Sequence, residues 1–250
     1  MIVTETEGSK QPQRTSKFWF ALVVLPIALA ILISLGTWQV KRLYWKENLL
    51  AAIEQRSHAE PADLSTLETA IGSGEPIDYR TAHAAGRFLN DKERHFFATF
   101  NGQSGYYVYT PLEIGDGRYL FVNRGFVPYD QKEPSTRPQS LIAGSQQVNG
   151  LARAKLTEKP SSMVPENDEA ANIFYWKDLD RMAASVGLPA EKVLPFFLDA
   201  DSTPVPGGLP RGGVTVIDLP NSHLQYAITW YGLALALVGV TGFAWLKRKS

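Results

Sequence analysis

Two long runs without a charged residue constrain this chain of 250 residues more than any other feature of its sequence. The first run extends from Phe18 to Val40 and the second from Tyr226 to Leu246. Each reaches the roughly 20 residues that an α-helix needs to cross the hydrocarbon core of a lipid bilayer. The runs also carry aromatic residues of the kind found at membrane interfaces, namely Phe18, Trp19, Trp38, Tyr226, Trp230 and Trp245. The pattern therefore predicts a membrane protein with two transmembrane helices, over residues 18–40 and 223–246.

The first run has two other interpretations. It could be a cleaved signal peptide, with Ser34-Leu35-Gly36 as a cleavage site of small residues, but it is longer than a typical signal core. A mitochondrial transit peptide is disfavoured by Glu5 and Glu7, because such peptides are poor in acidic residues. The helix is predicted to continue beyond the membrane to about Arg56. The residues that recur on one face of this extension are Trp38, Arg42, Trp45, Leu49 and Ile53.

Basic residues at the two ends indicate the topology. The C-terminus carries Lys247-Arg248-Lys249, and Lys10, Arg14 and Lys17 precede the first run. Positively charged flanks favour the cytoplasmic side, so both termini are predicted to be cytoplasmic. Lys41, Arg42 and Lys46 argue the other way, but the charge rule loses force on a long translocated segment. The expected order is a cytoplasmic tail (1–17), a transmembrane helix (18–40), an extracytoplasmic domain (57–222), a second transmembrane helix (223–246) and a short cytoplasmic tail (247–250).

The segment between the runs is predicted to form an α+β domain dominated by an antiparallel β-meander. Turn signals at Asn101-Gly102 and Gly115-Asp116-Gly117 separate segments rich in Tyr, Phe, Val and Thr. The predicted strands are Arg80–Phe88, Glu93–Phe100, Gly105–Ile114, Arg118–Val127, Gln146–Lys155 and Pro195–Asp199. A short helix capped by Asp63 or Ser65 and another over Lys177–Val186 are also predicted. The glycine- and proline-rich stretch TPVPGGLPRGG is interpreted as a linker to the second span.

Composition excludes several classes of function. The chain has no cysteine, which excludes disulfides, thiolate metal sites and a thiol nucleophile. Its three methionines supply too little soft sulfur for delivery of Cu(I). The formal net charge is +0 and no basic stripe is present, so no nucleic-acid partner is expected. No hydrolase, kinase or metalloprotease motif occurs, so the chain is not expected to be an enzyme.

The histidines divide into two groups. His58, His83 and His95 lack the spacing of a helical metal motif, and although His83 and His95 could meet across strands, all three are interpreted as ordinary histidines. His223 stands just before the second run. On a helix it shares a face with aromatic and small residues: Tyr226, Ala227, Trp230, Tyr231 and Ala234. The pattern leaves two interpretations open, a haem ligand or a polar residue in the headgroup zone behind a cap at Asn221 or Ser222.

Four separated motifs resemble those of the surfeit locus protein 1 family, the cytochrome c oxidase assembly factors. They are Leu35-Gly36-x-Trp38-Gln39-x-x-Arg42-x-x-Trp45-Lys46, then Gly105-Tyr106 with Thr110-Pro111-Leu112, then Val122-Asn123-Arg124-Gly125-Phe126-Val127-Pro128, and Asn221-x-His223-x-x-Tyr226-Ala227-x-x-Trp230. Pro165-x-Asn167 with Trp176 and Asp178 also fits. Two departures are Phe126, where Trp is commoner, and Ser104, where Pro is expected.

The resemblance implies a bacterial inner-membrane protein that helps to build haem-copper oxidase, with its main domain in the periplasm. It implies transient binding of haem a, with His223 as the axial ligand of the iron. The implied partners are cytochrome c oxidase subunit I and the haem a synthesis machinery. The alternatives are a cofactor-free scaffold for subunit I, a sensor, for which the tails are too short, and an extracytoplasmic enzyme without a nameable nucleophile.

The rest of the haem site is predicted from helix geometry. Antiparallel spans joined on the outer face bring the end of the first helix beside the start of the second, so Arg42 and His223 are expected at similar depth. Trp38, Tyr226 and Trp230 are expected to pack on the porphyrin or its tail. Arg42 is expected to pair with a propionate, because guanidinium binds carboxylate bidentately. The other interpretation of Arg42 is an interfacial residue that only extends toward the headgroups.

Overall fold

A computed structural model of the chain describes residues 14–215, 217 and 220–249. The N-terminal basic residue Lys10, the acidic Glu5 and Glu7, and the C-terminal Ser250 lie outside the described residues. The chain divides into two compact units. We call residues up to Leu50 together with those from Leu219 onward the helical unit, and Ala51–Asp218 the β-rich unit.

The helical unit is built on two long helices. Helix α1 is Arg14–Ser57 and contains Pro26, and helix α4 is His223–Lys249. By length and composition, Leu22–Ser57 and His223–Lys247 can both cross a membrane. Only 11% of the most apolar window in each of these helices is buried, whereas the core helix of a soluble protein is mostly buried. The predicted extension of the first helix to about Arg56 is confirmed, because the same helix ends at Ser57.

Within the described residues, the β-rich unit contains six strands and two short α-helices. The strands are β1 (Thr81–Phe88), β2 (Arg94–Phe100), β3 (Gln103–Glu113), β4 (Tyr119–Pro128), β5 (Ser145–Ala154) and β6 (Val193–Ala200). The helices are α2 (Leu64–Gly72) and α3 (Leu179–Ser185). Every predicted strand and both predicted short helices are present. Asp63 occupies the N-cap position of α2, but its side chain makes no capping hydrogen bond.

The sheet is mixed, which corrects the prediction of a domain dominated by an antiparallel meander. Its strand order is β1-β5-β6-β4-β3-β2, and β3 also pairs with β1, so five strands form a barrel-like sheet with β2 on the outer edge of β3. Strands β2, β3 and β4 are consecutive antiparallel neighbours, as the turn signals predict. However, β1 pairs with β5 and β3 rather than with β2, and β6 runs parallel to β4. These non-local pairings leave no signal in turn sequences.

Both faces of the barrel-like sheet are covered by apolar side chains. One cluster includes Leu67 of α2 with Leu120 and Val122 of β4. A second cluster, which includes Met182 of α3, contains Phe121 of the same strand. Alternate residues of a strand point to opposite faces, so β4 is buried on both sides. The β-rich unit therefore has its own hydrophobic core.

The glycine- and proline-rich stretch is not a free linker, which corrects a second prediction. Arg211 and Phe126 exchange two backbone hydrogen bonds of 2.8 and 2.9 Å, and Gly213 N donates to Ala200 O at 3.0 Å. The stretch has no regular strand or α-helix, as predicted, yet its backbone is bonded to β4 and β6. Its close approach depends on Gly125, where an added Cβ would stand 1.9 Å from the carbonyl oxygen of Arg211.

Candidate functional site

Helices α1 and α4 of the helical unit approach each other closely at small residues. A Cβ added to Gly36 would stand 2.9 Å from the ring of Tyr231. Ala227 and Ala234 of α4 are only 2% and 6% exposed. Small residues at such positions let helix backbones approach one another in an apolar environment. We call this contact line between α1 and α4 the seam.

Among the described residues, three side-chain hydrogen bonds join α1 to α4 or to the residues just before α4. Thr37 Oγ1 and Tyr231 Oη lie 3.1 Å apart, His223 Nδ1 and Gln39 Oε1 lie 2.7 Å apart, and Lys46 Nζ donates to the carbonyl oxygen of Pro220 at 2.7 Å. The residue numbers increase along α1 from Thr37 to Lys46, whereas those of their partners decrease from Tyr231 to Pro220. The seam therefore joins antiparallel helices, and Gln39 lies beside the first residue of α4.

His223 is held by a hydrogen bond to Gln39 at this end of the seam. An amide oxygen can only accept a hydrogen bond, so the 2.7 Å contact with Gln39 Oε1 requires a proton on His223 Nδ1. In the neutral imidazole the lone pair is then on Nε2, and Nε2 makes no hydrogen bond to any residue that the structure describes. The backbone N–H of His223 donates to Asn221 Oδ1 at 3.4 Å, so Asn221 contributes a weak bond at the start of the helix. The half-buried ring thus keeps one nitrogen available for a ligand.

The other predicted site residues form no hydrogen bond with this histidine within the described part of the chain. Trp38 is 55% exposed and Tyr226 54% exposed, Arg42 is exposed and Trp230 is half-buried. Within the described part of the chain, no hydrogen bond, ion pair or ring contact joins any of the four to His223. The structure thus brings His223 together with Gln39, and leaves the aromatic surfaces and Arg42 uncovered.

Arg42 lies at a similar position to His223 along the axis of α1, although the two side chains are not in contact. It lies three residues beyond Gln39, which is about 4.5 Å along the helix axis and about 60° around it. Trp38 and Arg42 are four residues apart and so share a face of α1. The guanidinium carbon of Arg42 stands 3.9 Å from the ring centroid of Trp45, and no carboxylate of the described residues pairs with it. Arg42 thus offers an unneutralised positive charge near the end of the seam.

Gln39 and Lys46 belong to the first family motif, but the motif predicts no role for either side chain. Gln39 is only 9% exposed and stands inside a run that has no charged residue. A polar side chain in such a run requires a partner, so the signal was present. Its partner could not be found from sequence, because the pairing depends on the rotation of α1 about its axis relative to α4.

An apolar cleft lies further along the same two helices. It has a volume of about 430 Å³, and α1 and α4 supply its lining: Leu25, Pro26, Leu29, Leu237, Val238, Thr241, Gly242 and Trp245. From His223 to Leu237 is 14 residues, or about 21 Å along a helix. The cleft therefore lies in the half of the apolar runs that is opposite the end holding His223.

The β-rich unit contains a buried ionic cluster of Glu93, Arg124 and Arg137. All three are at most 5% exposed, and Glu93 forms ion pairs with both arginines. Burial alone would raise the pKa of Glu93, but the hydrogen bond from Arg137, the nearby His95 and the charges of both arginines lower it below its ordinary value. Arg124 also donates to the carbonyl oxygen of Ser140 at 2.6 Å. These contacts tie β2, β4 and the loop after β4 together, which is a structural role.

The remaining histidines have separate partners. His83 Nε2 lies 3.1 Å from Asp63 Oδ1, whereas His95 Nδ1 lies 3.0 Å from Asn172 Nδ2. Their strands, β1 and β2, are not paired, so the two rings have no common site. No group of three or more His, Cys, Asp or Glu residues that could hold a metal ion exists among the described residues.

Sequence comparison places these motifs in a family. The profile described as "SURF1 family" matches residues 26–235, which is most of the chain. The chain belongs to the SURF1 family. It is 37% identical to human surfeit locus protein 1 over 262 residues, 98% of this chain and 81% of that protein. It is 38% identical to the protein of that name from Xenopus tropicalis (91% of this chain, 74% of that protein) and 35% identical to that of Rattus norvegicus (98% and 79%).

The SURF1-family match includes both helices that build the seam. Its range contains all five predicted site residues, which are Trp38, Arg42, His223, Tyr226 and Trp230, and also Gln39. The family similarity therefore extends across the β-rich unit to the paired helices on either side of it in sequence.

The residues at this end of the seam fit a haem better than a bare metal ion. A single histidine supplies too few donors for a bare ion, whereas haem iron carries four porphyrin nitrogens and needs only axial ligands from the protein. His223 offers a free Nε2, and Trp38 and Tyr226 offer exposed aromatic surfaces. Arg42 offers a charge suited to a carboxylate. The donor set, the apolar surroundings and the cation together match an amphipathic porphyrin.

Proposed function

We propose that this SURF1-family chain is an assembly factor for haem-copper cytochrome c oxidase in a bacterial inner membrane. In this role it binds haem a transiently and aids its insertion into subunit I of the oxidase. Its partners are subunit I, the haem a synthesis machinery and the lipid bilayer. The chain acts by holding and presenting a cofactor, and it is not an enzyme.

The observation that carries this proposal is the arrangement of His223. Its Nδ1 is engaged at 2.7 Å by Gln39, and its Nε2 has no partner among the described residues. Neutral imidazole bonded through one nitrogen and open at the other is the usual state of a histidine that ligates a metal. His223 Nε2 is thus the proposed axial ligand of the haem iron, which would supply the remaining coordination and the redox chemistry.

The other site residues have supporting roles in the proposal. Trp38, Tyr226 and Trp230 pack against the porphyrin or its isoprenoid tail, since aromatic side chains bury large apolar areas. Arg42 binds a propionate, because guanidinium forms bidentate hydrogen bonds with carboxylates. The apolar cleft near Leu237 can accommodate hydrocarbon, and each CH₂ moved from water into such surroundings contributes about 0.8 kcal/mol.

The location of the site supports the same conclusion. His223 begins α4 and the apolar run follows it, so the ring lies where an apolar helix meets polar surroundings. Haem a has both a hydrocarbon tail and two carboxylates, and only a boundary satisfies both ends. With both termini in the cytoplasm, this boundary and the β-rich unit are periplasmic.

A haem-retention experiment tests the proposal. The full chain is produced in cells that synthesise haem a, purified in detergent, and examined by optical spectroscopy. The wild-type chain should carry a Soret band, and His223→Ala should lose it while remaining folded and membrane-bound. Wild-type haem content in the His223→Ala variant would rule out this site.

The second candidate function is a cofactor-free scaffold that stabilises subunit I. The observation that favours it is the extent of exposed apolar surface on α4, such as Leu235 at 74% and Val240 at 71%, which could contact another transmembrane protein as readily as lipid. A scaffold should capture subunit I equally well as wild type and as His223→Ala. If His223→Ala loses both haem and its capture of subunit I, the haem-binding function is favoured over the scaffold.

A further inference from the structure

Gln39 is an uncharged polar residue buried at the seam, and it has one evident task. Its side chain is 9% exposed, and its amide oxygen accepts a hydrogen bond from His223 Nδ1 at 2.7 Å. In apolar surroundings a buried amide without a partner is strongly unfavourable. Breaking the hydrogen bond between Gln39 and His223 would therefore leave a buried polar group without a partner, so the contact is a stable feature of the helical unit.

We infer that Gln39 is a positioning residue that fixes the tautomer and the orientation of the His223 ring. With Nδ1–H directed at Gln39, the lone pair must be on Nε2, and the ring plane must contain the Nδ1–Oε1 direction. The second nitrogen is thereby aimed away from α1. This inference rests on the proposed function, since it concerns the ligand that His223 would present to haem iron.

The contact has the chemistry of a ligand-orienting bond. A metal-ligating histidine almost always donates its other ring N–H to a carboxylate, a carbonyl or water, and this fixes the tautomer and raises the basicity of the ligand. An amide oxygen provides the acceptor without placing a negative charge among apolar side chains, where charge is expensive. Glutamine therefore orients the ring while keeping the seam neutral.

A simpler role for Gln39 would be to hold the two helices together. The seam offers a matched control for that role, because Thr37 Oγ1 and Tyr231 Oη make a second cross-helix hydrogen bond two residues away. Thr37→Val removes this bond with little change in side-chain shape and does not touch the imidazole. If Gln39 only joins the helices, Gln39→Leu and Thr37→Val should have similar effects on haem binding.

The experiment compares four variants of the full chain in detergent: Gln39→Leu, Gln39→Glu, Thr37→Val and His223→Ala. Each is freed of cofactor and titrated with haem a, while the Soret band and the reduction potential of the bound haem are recorded. Protein yield and circular dichroism establish that each variant is folded. Gln39→Leu should bind haem a about 10- to 100-fold more weakly than wild type. Thr37→Val should bind within about twofold of wild type.

Gln39→Glu tests the positioning role through the reduction potential of the bound haem, which a merely structural role of Gln39 would leave unchanged. The introduced carboxyl must be measured at a pH high enough to ionise it, because apolar surroundings favour its protonated form. When ionised it can only accept, so it preserves the Nδ1–H···O bond and makes the imidazole a stronger donor to iron. Haem binding should be retained and the reduction potential should fall below that of wild type. A binding loss equal to that of Gln39→Leu, or an unchanged potential, would overturn the inference.

The outcomes separate this inference from the proposed function. If His223→Ala keeps the haem, the axial-ligand assignment fails and the role of Gln39 fails with it. If His223→Ala loses the haem while Gln39→Leu binds as wild type does, the ligand stands and only the positioning role is wrong. If Gln39→Leu and Thr37→Val weaken binding equally, Gln39 acts by joining the helices and the positioning role is again wrong.

Discussion

Gly125 shows how a family motif can be structural rather than functional. No ligand is expected at Asn123-Arg124-Gly125, and each of the three residues has an internal structural role. Asn123 Nδ2 donates to Asp199 Oδ1 at 3.1 Å and its Oδ1 accepts from Gly125 N at 3.1 Å. Gly125 has a φ of 121°, which L-residues with a Cβ rarely adopt. The motif thus fixes the end of β4 where the irregular segment at Arg211 crosses it.

Gly125→Ala should destabilise the protein strongly. The added Cβ meets the Arg211 carbonyl oxygen at 1.9 Å, so the backbone must move and the two hydrogen bonds between Phe126 and Arg211 must weaken. The expected loss exceeds 3 kcal/mol, since overpacking alone costs roughly 1–3 kcal/mol and the positive φ adds strain. Gly125→Glu should lower the amount of folded protein still further.

Gly115→Ala is the matched control for this prediction. A Cβ at Gly115 meets no atom within 4 Å, and the substitution should change the free energy of unfolding by at most about 0.5 kcal/mol. Thermal unfolding and cellular levels of the two variants are the measurements. A Gly125 variant that accumulates and melts like the wild type but is inactive would identify this stretch as a contact site instead.

Glu93 should be the most sensitive carboxylate in the β-rich unit. Glu93→Gln leaves Arg124 and Arg137 buried together without their counter-charge, and loss of one member of a buried ion pair costs about 3–5 kcal/mol. Glu113→Gln is the control, because the pair of Glu113 with Arg87 is largely exposed and contributes no more than about 1 kcal/mol. Equal melting temperatures for the two variants would contradict the structural role of the cluster.

The lowered pKa of Glu93 also predicts how the stability of the protein depends on pH. The folded state lowers the pKa of Glu93, so its contribution is fully present above the unfolded-state pKa of about 4.3 and is lost as the pH falls through the lower folded-state pKa. Wild-type stability should therefore fall in acid below about pH 4.5, and Glu93→Gln should show a smaller fall. Unfolding curves between pH 7 and pH 3 measure the difference. An identical acid dependence in both proteins would show that Glu93 does not contribute it.

At the scale of secondary-structure elements, local sequence patterns predict where a strand or helix lies but not which strands pair. The hairpin between β2 and β3 follows from Asn101-Gly102, and both residues have positive φ values in the structure. The parallel pairing of β4 with β6 and the closure of β3 onto β1 join segments that are distant in sequence. No turn or alternation encodes such contacts, so the mixed sheet could not be predicted.

The candidate site could also be predicted from the sequence only in part. His223 could be found because a family motif and an apolar run both mark it. The contact with Gln39 could not be found, since it depends on which face of α1 meets α4. Trp38 and Arg42 lie on the face of α1 beside Gln39, where they are exposed, so the pattern indicated the end of α1 that meets His223 but not the residue that contacts the histidine.

Gly36 should control the distance between the two helices. Leucine at this position would place its side chain against the ring of Tyr231, which already stands 2.9 Å from an ideal Cβ. The helices must separate or the ring must turn, which should cost about 1–3 kcal/mol and weaken the bonds of Gln39 and Thr37 across the seam. Gly232→Leu is the control, because a Cβ there meets nothing within 4 Å.

Thermal unfolding of the purified chain in detergent measures this effect of Gly36→Leu. The helical unit contributes Trp38, Trp45 and Trp230 as fluorescence probes of the seam. The Gly36 variant should unfold at a lower temperature with altered tryptophan emission, and the Gly232 variant should not. If the two variants melt together, close packing at Gly36 does not stabilise the helix pair.

At the scale of the whole molecule, the absence of cysteine makes the proposed topology directly testable. A single introduced cysteine is the only thiol in the chain, so a maleimide that cannot cross membranes reports one position at a time. Met163 is 91% exposed and lies in the β-rich unit, between β5 and α3. Ser9 lies in the N-terminal segment, outside the described residues.

With the β-rich unit in the periplasm and both termini in the cytoplasm, Met163→Cys should be labelled in cells whose outer membrane alone is opened. Ser9→Cys should be labelled only after the inner membrane is permeabilised, because the cationic flank that follows it keeps this end on the cytoplasmic side. A periplasm-dependent reporter fused near Gln139 should agree with Met163→Cys. Labelling in the reverse order would invert the topology and would move the His223 end of the seam to the cytoplasmic face. Labelling of both positions in unpermeabilised cells would exclude a chain that crosses the membrane twice.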